Sequence, residues 1–213
     1  MPPLIMQYPM GSSTVPGTEG YADNAGGLIA RYESVAFLDK YRPVAHLLPT
    51  RSGTVLDIGA GTGGDAAWLA SLGHTVIALE PVAAFRAAGM QAHALANLEW
   101  INDSLPALYT IGARHTRYDL IVVAAVWMHL AAEERMEAMG NISTLLKPGA
   151  VLVISLRHGP PPEGRRIFDV AAGETADLAM RHGLKVMLST QAPSIQPQNR
   201  QAGVSWSWLV FEK

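Results

Sequence analysis

Apolar residues recur along the chain in short runs of strand length, and each run ends at glycine, proline or polar residues. Between several of these runs lie segments whose apolar residues recur at helical spacing. This alternation predicts an α/β fold. The predicted strands are residues 54–58, 75–79, 98–101, 118–125, 151–156, 184–190 and 203–211, and the predicted helices are 28–41, 65–72, 133–146 and 169–182.

The character of individual runs predicts where they lie in the sheet. The run 118–125 is almost wholly apolar, which is typical of a strand covered on both faces, and we place it in the middle of the sheet. The last two strands have no helix between them and must pair as a hairpin or through a long loop. That connection, residues 191–203, is polar and long, and predicts a mobile flap or a disordered loop.

The first strand runs directly into a glycine-rich turn, with Asp57 two residues before its first glycine. Glycine accepts positive φ and lets a ligand approach the main chain, so the turn predicts a nucleoside site. The spacing of Gly59, Gly61 and Gly64 also fits the dinucleotide fingerprint. Asp57 separates the two possibilities, because a carboxylate there would repel a pyrophosphate but attract an ammonium or a sulfonium.

From Val55 to Gly63 the chain resembles the first motif of the class I S-adenosylmethionine-dependent methyltransferases, and residues 146–149, Leu-Lys-Pro-Gly, resemble a second landmark of that family. The resemblance implies a Rossmann-like, doubly wound, mostly parallel seven-stranded sheet with an antiparallel C-terminal strand pair and an N-terminal helical cap. It also implies S-adenosyl-L-methionine as cofactor and S-adenosyl-L-homocysteine as product. We expect a single domain, residues 1–213, with a cap segment at 1–48 and a cofactor-binding core at 49–213.

Further residues match cofactor positions of this family. Glu80 would accept hydrogen bonds from the ribose hydroxyls, a role that dehydrogenases share, unless it is a solvated turn residue. Asp103 would meet the adenine amino group or cap the following short helix. Arg31 or Tyr32 would close over the methionine part, or pack a surface helix. The resemblance implies cofactor contacts from Tyr32, Asp57, Gly59, Ala60, Gly61, Glu80, Pro81, Asp103, Ser104 and Ala125.

The composition narrows the class of protein. The chain has 213 residues, 49 % of them apolar, as expected for one domain with a substantial core. It has no cysteine, and no spacing of histidine and acidic residues resembles a metal site. We find neither a membrane-spanning apolar run nor a leader and expect a cytoplasmic protein. A formal net charge of −2 and the lack of a long basic run argue against a nucleic-acid partner.

The loop after the fifth strand is the candidate acceptor-binding segment, because ligands sit at the carboxyl ends of parallel strands. It contains Arg157, Arg165 and Arg166, and arginine forks bind carboxylates or phosphates. An acidic group on a small-molecule substrate follows as a hypothesis, and an exposed loop stiffened by prolines is the alternative. Trp127 would wall an apolar acceptor pocket or belong to the core.

Methyl transfer from a sulfonium is an in-line displacement that depends mainly on holding the nucleophile and the methyl group together, away from water. A base is needed only if the acceptor must lose a proton. His129 and His158 are the candidates, since imidazole titrates near neutral pH. For His129, capping or packing is the alternative.

The sequence thus predicts S-adenosylmethionine-dependent methyl transfer to a small-molecule acceptor with an acidic group. An NAD(P)-dependent oxidoreductase is one alternative, because it uses a similar strand, turn and helix. A non-catalytic nucleoside-binding module is the other. The acceptor atom, the natural substrate and the oligomeric state stay open.

Overall fold

A sheet of seven strands lies at the centre of the computed structural model, which describes residues 15–213. The strands are β1 (Thr54–Ile58), β2 (Thr75–Leu79), β3 (Leu98–Ile101), β4 (Tyr118–Ala124), β5 (Leu146–His158), β6 (Lys185–Pro193) and β7 (Ser205–Glu212). Their order is β3-β2-β1-β4-β5-β7-β6. The strands β3, β2, β1, β4 and β5 are parallel to one another, whereas β7 is antiparallel to both β5 and β6.

Helices connect most of the parallel strands and cover the sheet. Within residues 15–213 they are α1 (Ala25–Glu33), α2 (Phe37–Tyr41), α3 (Gly64–Ser71), α4 (Ala83–Ala92), α5 (Tyr109–Gly112), α6 (Ala132–Leu145), α7 (Ala172–Arg181) and α8 (Pro197–Gln201). Single 3₁₀ turns occur at Ala45–Leu47 and Trp127–His129.

Apolar side chains cover both faces of the sheet. On one face, Ile121 and Val123 of β4 belong to a core that includes Ile142 of α6. On the other face, Leu120 and Val122 belong to a core that includes residues of α2 and α3. Side chains that alternate between two buried layers are what a near-continuous apolar strand requires. The middle of the sheet is therefore covered on both faces, and polar groups of its central strands can gather at the strand ends.

The predicted fold class is confirmed. β4 lies between β1 and β5 in the middle of the sheet, and the chain ends in the antiparallel pair β6 and β7. The helices α1 and α2 form the N-terminal helical cap. Residues 1–14 of the predicted cap segment 1–48 lie outside the described residues, and the division into one domain stays a prediction.

The predicted helix 28–41 is wrong as a single element, because the chain breaks between α1 and α2. The Ser34 hydroxyl donates to the Arg31 carbonyl at 2.8 Å, and Ala36 is extended. The break lets the Phe37 ring stack between Tyr41, at a centroid distance of 3.9 Å, and Trp68 of α3, at 3.8 Å. Aromatic burial against the core decides this backbone conformation over local helix propensity.

The predicted turn at residues 147–150 is instead assigned to β5, which begins at Leu146. Gly149 has a φ of +76°, and its N–H donates to the Lys213 carbonyl at 2.8 Å. Pairing with the end of the chain therefore holds these residues in the sheet.

Two boundaries near the C-terminus also differ from the prediction. Helix α7 starts at Ala172 rather than at residue 169, because the Phe168 N–H donates to the Met128 carbonyl at 2.8 Å and Val170 is buried in the core. The connection 191–203 has secondary structure of its own: β6 continues to Pro193, and α8 follows.

We predict that Phe37→Ala lowers the free energy of unfolding by about 3 kcal/mol, because a buried aromatic side chain is removed from a stacked cluster. Its neighbour Leu38 is 59 % exposed, so Leu38→Ala is the matched control and should change stability by less than about 0.5 kcal/mol. Urea unfolding followed by tryptophan fluorescence measures both. Equal effects of the two variants would contradict the stacking of α2 on α3.

Candidate functional site

The candidate site lies at the carboxyl ends of the parallel strands, where β1 and β4 are neighbours and the strand order changes direction. The turn after β1, Glu80 after β2, Asp103 after β3 and Ala125 after β4 all lie at this edge. The sheet therefore brings the predicted cofactor residues to one place, although they are far apart in sequence.

The glycine-rich turn is tied to the neighbouring strand. The N–H groups of Gly59 and Ala60 both donate to the Leu79 carbonyl, at 2.8 and 2.9 Å. Gly59 has a φ of +71°, and a Cβ atom on it would lie 2.4 Å from the Val126 Cγ2 atom. Gly61 has a φ of +61°, and the nearest atom to a Cβ there would be in the Tyr32 ring at 3.7 Å. The positive φ angles favour glycine at both positions, and the Tyr32 ring lies within van der Waals contact distance of the Cβ position at Gly61.

Asp57 is a buried carboxylate with an unused oxygen. Its side chain is 2 % exposed, and no group within residues 15–213 forms a hydrogen bond with its Oδ2 atom. Burial, with the negative charge of Asp65, raises the pKa of Asp57 to about 8, and Lys40 opposes that shift. Lys40 itself forms an ion pair with Asp65. A buried acceptor of this kind is stabilised by a cationic donor from a ligand.

Glu80 is held against the turn rather than solvated. Its Oε2 accepts the Gly61 N–H at 2.8 Å and its Oε1 accepts the Val82 N–H at 2.7 Å, and the side chain is 5 % exposed. Burial raises the pKa of Glu80 to about 7, against the lowering effect of these two hydrogen bonds. The carboxylate keeps acceptor capacity for hydroxyl groups on a ligand.

Asp103 has the capping role that the sequence left open. Its Oδ1 accepts the N–H of Ser104 and its Oδ2 accepts the N–H of Ile111 in α5, both at 2.9 Å. The carboxylate thereby orders the segment after β3, at the edge where an adenine would lie.

Two further predicted cofactor residues lie at the same edge. Pro81 precedes α4. Ala125 has a φ of +60° and donates its N–H to the Ser155 Oγ atom at 2.9 Å.

Aromatic rings from the N-terminal part of the chain cover this edge. Tyr32 of α1 lies beside Gly61 and contacts Phe85 of α4, at a centroid distance of 5.7 Å. Tyr21 meets Phe85 edge-on at 5.9 Å, and its hydroxyl lies 3.0 Å from the Nε2 atom of His129. Sequence reasoning missed Tyr21, because residues 15–24 have neither helical nor strand periodicity.

His129 is buried under this cover, with 6 % of its surface exposed. Its Nδ1 atom lies 2.6 Å from the Arg166 carbonyl oxygen, which only accepts, so Nδ1 carries the proton. The Nε2 atom of the neutral ring therefore accepts from the Tyr21 hydroxyl. Burial lowers the pKa of His129, and the nearby guanidinium of Arg165 acts in the same direction.

Hydrogen bonds to neighbouring elements hold two other side chains of the predicted site, Trp127 and His158. Trp127 is fully buried, and its indole N–H donates to the Thr175 Oγ1 atom of α7 at 3.1 Å, which is the core role. His158 at the end of β5 has its Nε2 atom 2.8 Å from the Ser207 Oγ atom. His158 thus lies on the β7 side of the sheet, away from the Tyr21 contact.

Of the arginines near the candidate site, one forms an ion pair with a carboxylate and the others do not. Arg166 forms an ion pair with Glu134 of α6, at 2.9 Å. Arg157 donates to the Gly159 carbonyl at 3.2 Å, and the Arg165 guanidinium lies 3.4 Å from the centre of the Tyr21 ring. Within residues 15–213, no carboxylate oxygen lies within 4.0 Å of the guanidinium of Arg31, Arg157 or Arg165.

Two broader features of residues 15–213 complete the description. No helix there is long and apolar enough to cross a lipid bilayer. The same residues contain no group of three or more histidine and acidic side chains placed to hold a metal ion.

The chain is similar in sequence to one protein family and to an individual relative. A family model described as a methyltransferase domain matches residues 30–213. An uncharacterized methyltransferase from Anoxybacillus flavithermus is 28 % identical over 141 residues. This match spans 64 % of the chain and 62 % of that relative's length.

Solved structures with the same fold include three that cover most of the chain. A TehB-like SAM-dependent methyltransferase from Corynebacterium glutamicum has a TM-score of 0.67 at 22 % identity, covering 91 % of this chain and 98 % of its own. The N-methyltransferase NodS from Bradyrhizobium japonicum, in complex with S-adenosyl-L-homocysteine, has a TM-score of 0.63 at 17 % sequence identity, and the match covers 90 % of this chain and 99 % of NodS. A Burkholderia thailandensis 1,6-didemethyltoxoflavin-N1-methyltransferase, with bound 1,6-didemethyltoxoflavin and S-adenosylhomocysteine, has a TM-score of 0.61 at 20 % identity, and the match covers 95 % of this chain and 92 % of that protein.

We predict that the ligand-free protein loses stability as the pH rises, and that Asp57→Asn reduces this loss. The pKa of Asp57 is about 8 in the folded chain and near 3.8 when unfolded. Between these values the folded state holds a proton that the unfolded state has released, so stability falls with rising pH. Thermal unfolding at pH 6 and pH 9 should show a loss smaller by about 1 kcal/mol or more in the variant.

Asp39→Asn is the control, because Asp39 is exposed and pairs only with Arg42 on its own helix turn. It should keep the pH dependence of the wild type. Glu80 titrates in the same direction, so Asp57→Asn should retain a weaker dependence. A variant with the full wild-type dependence would contradict the assignment to Asp57.

Proposed function

Because the chain belongs to the methyltransferase domain family, whose model matches residues 30–213, we propose that it transfers a methyl group from S-adenosyl-L-methionine to a small acceptor that carries an anionic group. The enzyme class follows from the family, and the fold is that of S-adenosylmethionine-dependent methyltransferases. Neither an NAD(P)-dependent oxidoreductase nor a non-catalytic nucleoside-binding module is needed to explain the chain. The proposal that the acceptor is anionic rests on Arg31, Arg157 and Arg165.

The buried, unpartnered Oδ2 atom of Asp57 is the observation that fits the cofactor best. S-adenosyl-L-methionine brings an ammonium and a sulfonium, and either charge stabilises an ionised carboxylate beneath the turn. Glu80 faces the same turn with acceptor capacity for the ribose hydroxyls, and glycine at position 61 adds no side chain between the turn and the Tyr32 ring. When bound, the cofactor supplies an electrophilic methyl group for in-line displacement.

The side chains at this edge would hold the cofactor and exclude water. We assign cofactor contacts to the glycine-rich turn and the acidic residues after β2 and β3, with Tyr32 covering the cofactor. A closed, dry site favours displacement of a positively charged sulfur from the methyl carbon, because the charge is dispersed in the transition state. The residues in this proposal are Tyr32, Asp57, Gly59, Ala60, Gly61, Glu80, Pro81, Asp103, Ser104 and Ala125.

Arg31, Arg157 and Arg165 support an anionic acceptor. Burial lowers the pKa of the Arg157 guanidinium, Tyr21 opposes this shift, and the positive charge of Arg31 adds to it. Like charges that lie together without a carboxylate partner are stabilised by an anionic ligand. Arg166 already has Glu134 as its partner, so we assign it to positioning the loop.

A small acceptor in the cytoplasm, with no nucleic-acid partner, is part of the same proposal. The formal net charge is −2, which disfavours a general phosphate-binding groove. The Burkholderia protein of the same fold holds 1,6-didemethyltoxoflavin beside its cofactor product, so the fold is compatible with a small acceptor.

Isothermal titration calorimetry tests the cofactor. We expect binding of S-adenosyl-L-homocysteine with about micromolar affinity and no binding of NAD or NADP. Affinity should rise from pH 6.5 to 8.5, because Asp57 and Glu80 must ionise to hold the ligand. Glu80→Gln should weaken binding about tenfold, and Asp39→Asn is the control. Binding of a nicotinamide cofactor alone would refute the proposed function.

Matched acid and amide probes test the acceptor class. We expect S-adenosylhomocysteine formation with a panel that includes salicylate and glycine, and slower formation with salicylamide and glycinamide. Arg157→Gln and Arg165→Gln should raise KM for the acids about tenfold and leave KM for S-adenosyl-L-methionine unchanged. Arg114→Gln, in an exposed pair with Glu99, is the control. Equal turnover of acids and amides would rule out an anionic acceptor.

A further inference from the structure

The contact between Tyr21 and His129 joins the N-terminal cover to the strand ends. Tyr21 belongs to the segment before α1, and His129 to the 3₁₀ turn after β4. The segment is held in place by close packing: a Cβ atom on Gly17 would lie 3.0 Å from the His129 Cβ atom. Gly20 similarly lies against Gly164, in the loop that contributes Arg165. Three separate parts of the chain thus meet around one hydroxyl.

The hydrogen bonds around His129 form a chain with a defined direction. The Arg166 carbonyl accepts from Nδ1, which leaves the Nε2 lone pair to accept from the Tyr21 hydroxyl. A phenol that donates to a neutral imidazole can take up a second proton on its oxygen as it gives up the first. The arrangement therefore allows a proton to pass through the Tyr21 hydroxyl to His129.

The two residues differ in exposure. His129 is 6 % exposed, whereas Tyr21 is partly exposed. Tyr21 is therefore the more accessible residue of the pair. Other tyrosines differ in this respect: Tyr41 is fully buried and donates to Asp65, and Tyr109 is 83 % exposed on α5.

Charged groups around the pair favour a neutral imidazole that can become protonated. Arg165 and Arg166 disfavour the imidazolium, and Glu19, which comes from the same segment as Tyr21, favours it. Burial raises the pKa of Tyr21, so the phenol is neutral before transfer. The titratable and charged groups that face the pair are Glu19, Tyr32, Glu80, Glu134 through Arg166, Arg157, Arg165 and Arg166.

We propose that Tyr21 relays the acceptor's proton to His129, and that the acceptor is methylated on an oxygen or nitrogen that carries this proton. As the acceptor atom forms its bond to the methyl carbon, the bond from carbon to sulfur breaks. The acceptor's proton moves to the Tyr21 oxygen, and the phenolic proton moves to Nε2 of His129. Tyr21 is then the catalytic residue, and His129 accepts the proton behind it.

This inference rests on the proposed function and narrows its acceptor. The Arg165 guanidinium lies over the Tyr21 ring, so a carboxylate bound by Arg165 would be carried close to the Tyr21 hydroxyl. An amino acid, a hydroxy acid or a phenolic acid has both features, an anionic group and a proton on the reacting atom. A thioether has no proton to lose and would not need the relay.

The first test needs no acceptor and no turnover. Nitrogen-15 NMR of histidine-labelled protein with bound S-adenosyl-L-homocysteine reports the tautomer and the hydrogen bonding of His129. We expect a proton on Nδ1 and an Nε2 signal shifted by the phenol, and Tyr21→Phe should move that signal towards the value of a free ring nitrogen. Tyr109→Phe is the control and should leave it unchanged. A proton on Nε2, or no response to Tyr21→Phe, would overturn the relay.

The second test uses the pH dependence of turnover with the best acid of the panel. Wild-type kcat should fall on the acidic side of pH 6.5 as His129 becomes protonated, since its pKa is lowered. His129→Asn keeps a donor for the Arg166 carbonyl but removes the base. It should lose this acidic limb and reduce kcat about 100-fold or more. Tyr21→Phe should also reduce kcat, with KM for S-adenosyl-L-methionine unchanged.

The outcomes separate this inference from the proposed function. If S-adenosyl-L-homocysteine does not bind to the wild type, the proposed function fails. If it binds and His129→Asn retains the wild-type rate and pH profile, the relay fails and the methyltransferase stands. If no acid is turned over, the NMR response to Tyr21→Phe alone decides for or against the relay. If a variant does not bind S-adenosyl-L-homocysteine, the same spectra of the ligand-free wild type and variant decide.

Discussion

A buried carboxyl group whose Oδ2 atom has no hydrogen-bond partner within residues 15–213 is the constraint around which this site is built. It belongs to Asp57, which lies on a central strand beneath the glycine-rich turn, where its charge is costly unless a cation compensates it. Lys40 from α2, which pairs with Asp65 at the start of α3, supplies part of that compensation. The N-terminal cap thereby contributes to the electrostatics of the turn as well as to the core, and a cationic ligand completes the arrangement. Substituting an uncharged residue would relax the ligand-free protein but remove the attraction for the cofactor.

Topology then decides what surrounds this charge. In a parallel sheet, all the strand ends that can contact a ligand lie along one edge, and here β1 and β4 are adjacent at the point where the order reverses. The end of β5 and the loop after it carry Arg157 and Arg165 to the same edge, and the segment before α1 covers it with Tyr21. Acidic groups thus lie near the glycine-rich turn, and basic groups lie at the end of β5 and in the loop after it. In the proposed function, this division would suit a cationic methyl donor and an anionic acceptor that must approach each other closely.

Much of the fold was predictable because its signals are local. The apolar run 118–125 becomes the central strand β4, and the consecutive final strands become the antiparallel pair β6 and β7. The helix predicted at 28–41 was wrong, since the stacking of Phe37 between Tyr41 and Trp68 outweighs local helix propensity. For the site, the motif led to Asp57 and Glu80, but nothing in residues 15–24 pointed to Tyr21. A side chain recruited by packing from an aperiodic segment leaves no pattern to detect.

The class of fold, the glycine-rich turn and the acidic residues that follow the strands can be predicted from the amino-acid sequence, because each depends on the chemistry of neighbouring residues. Which polar groups face one another depends on how the whole chain folds. The tertiary structure pairs Arg166 with Glu134 and leaves Arg165 over Tyr21, although the two arginines are adjacent in the chain. It also buries Trp127 in the core and sets the proton on Nδ1 of His129 through a carbonyl far along the chain. These choices depend on distances between segments, which packing of the whole chain sets and no local pattern records.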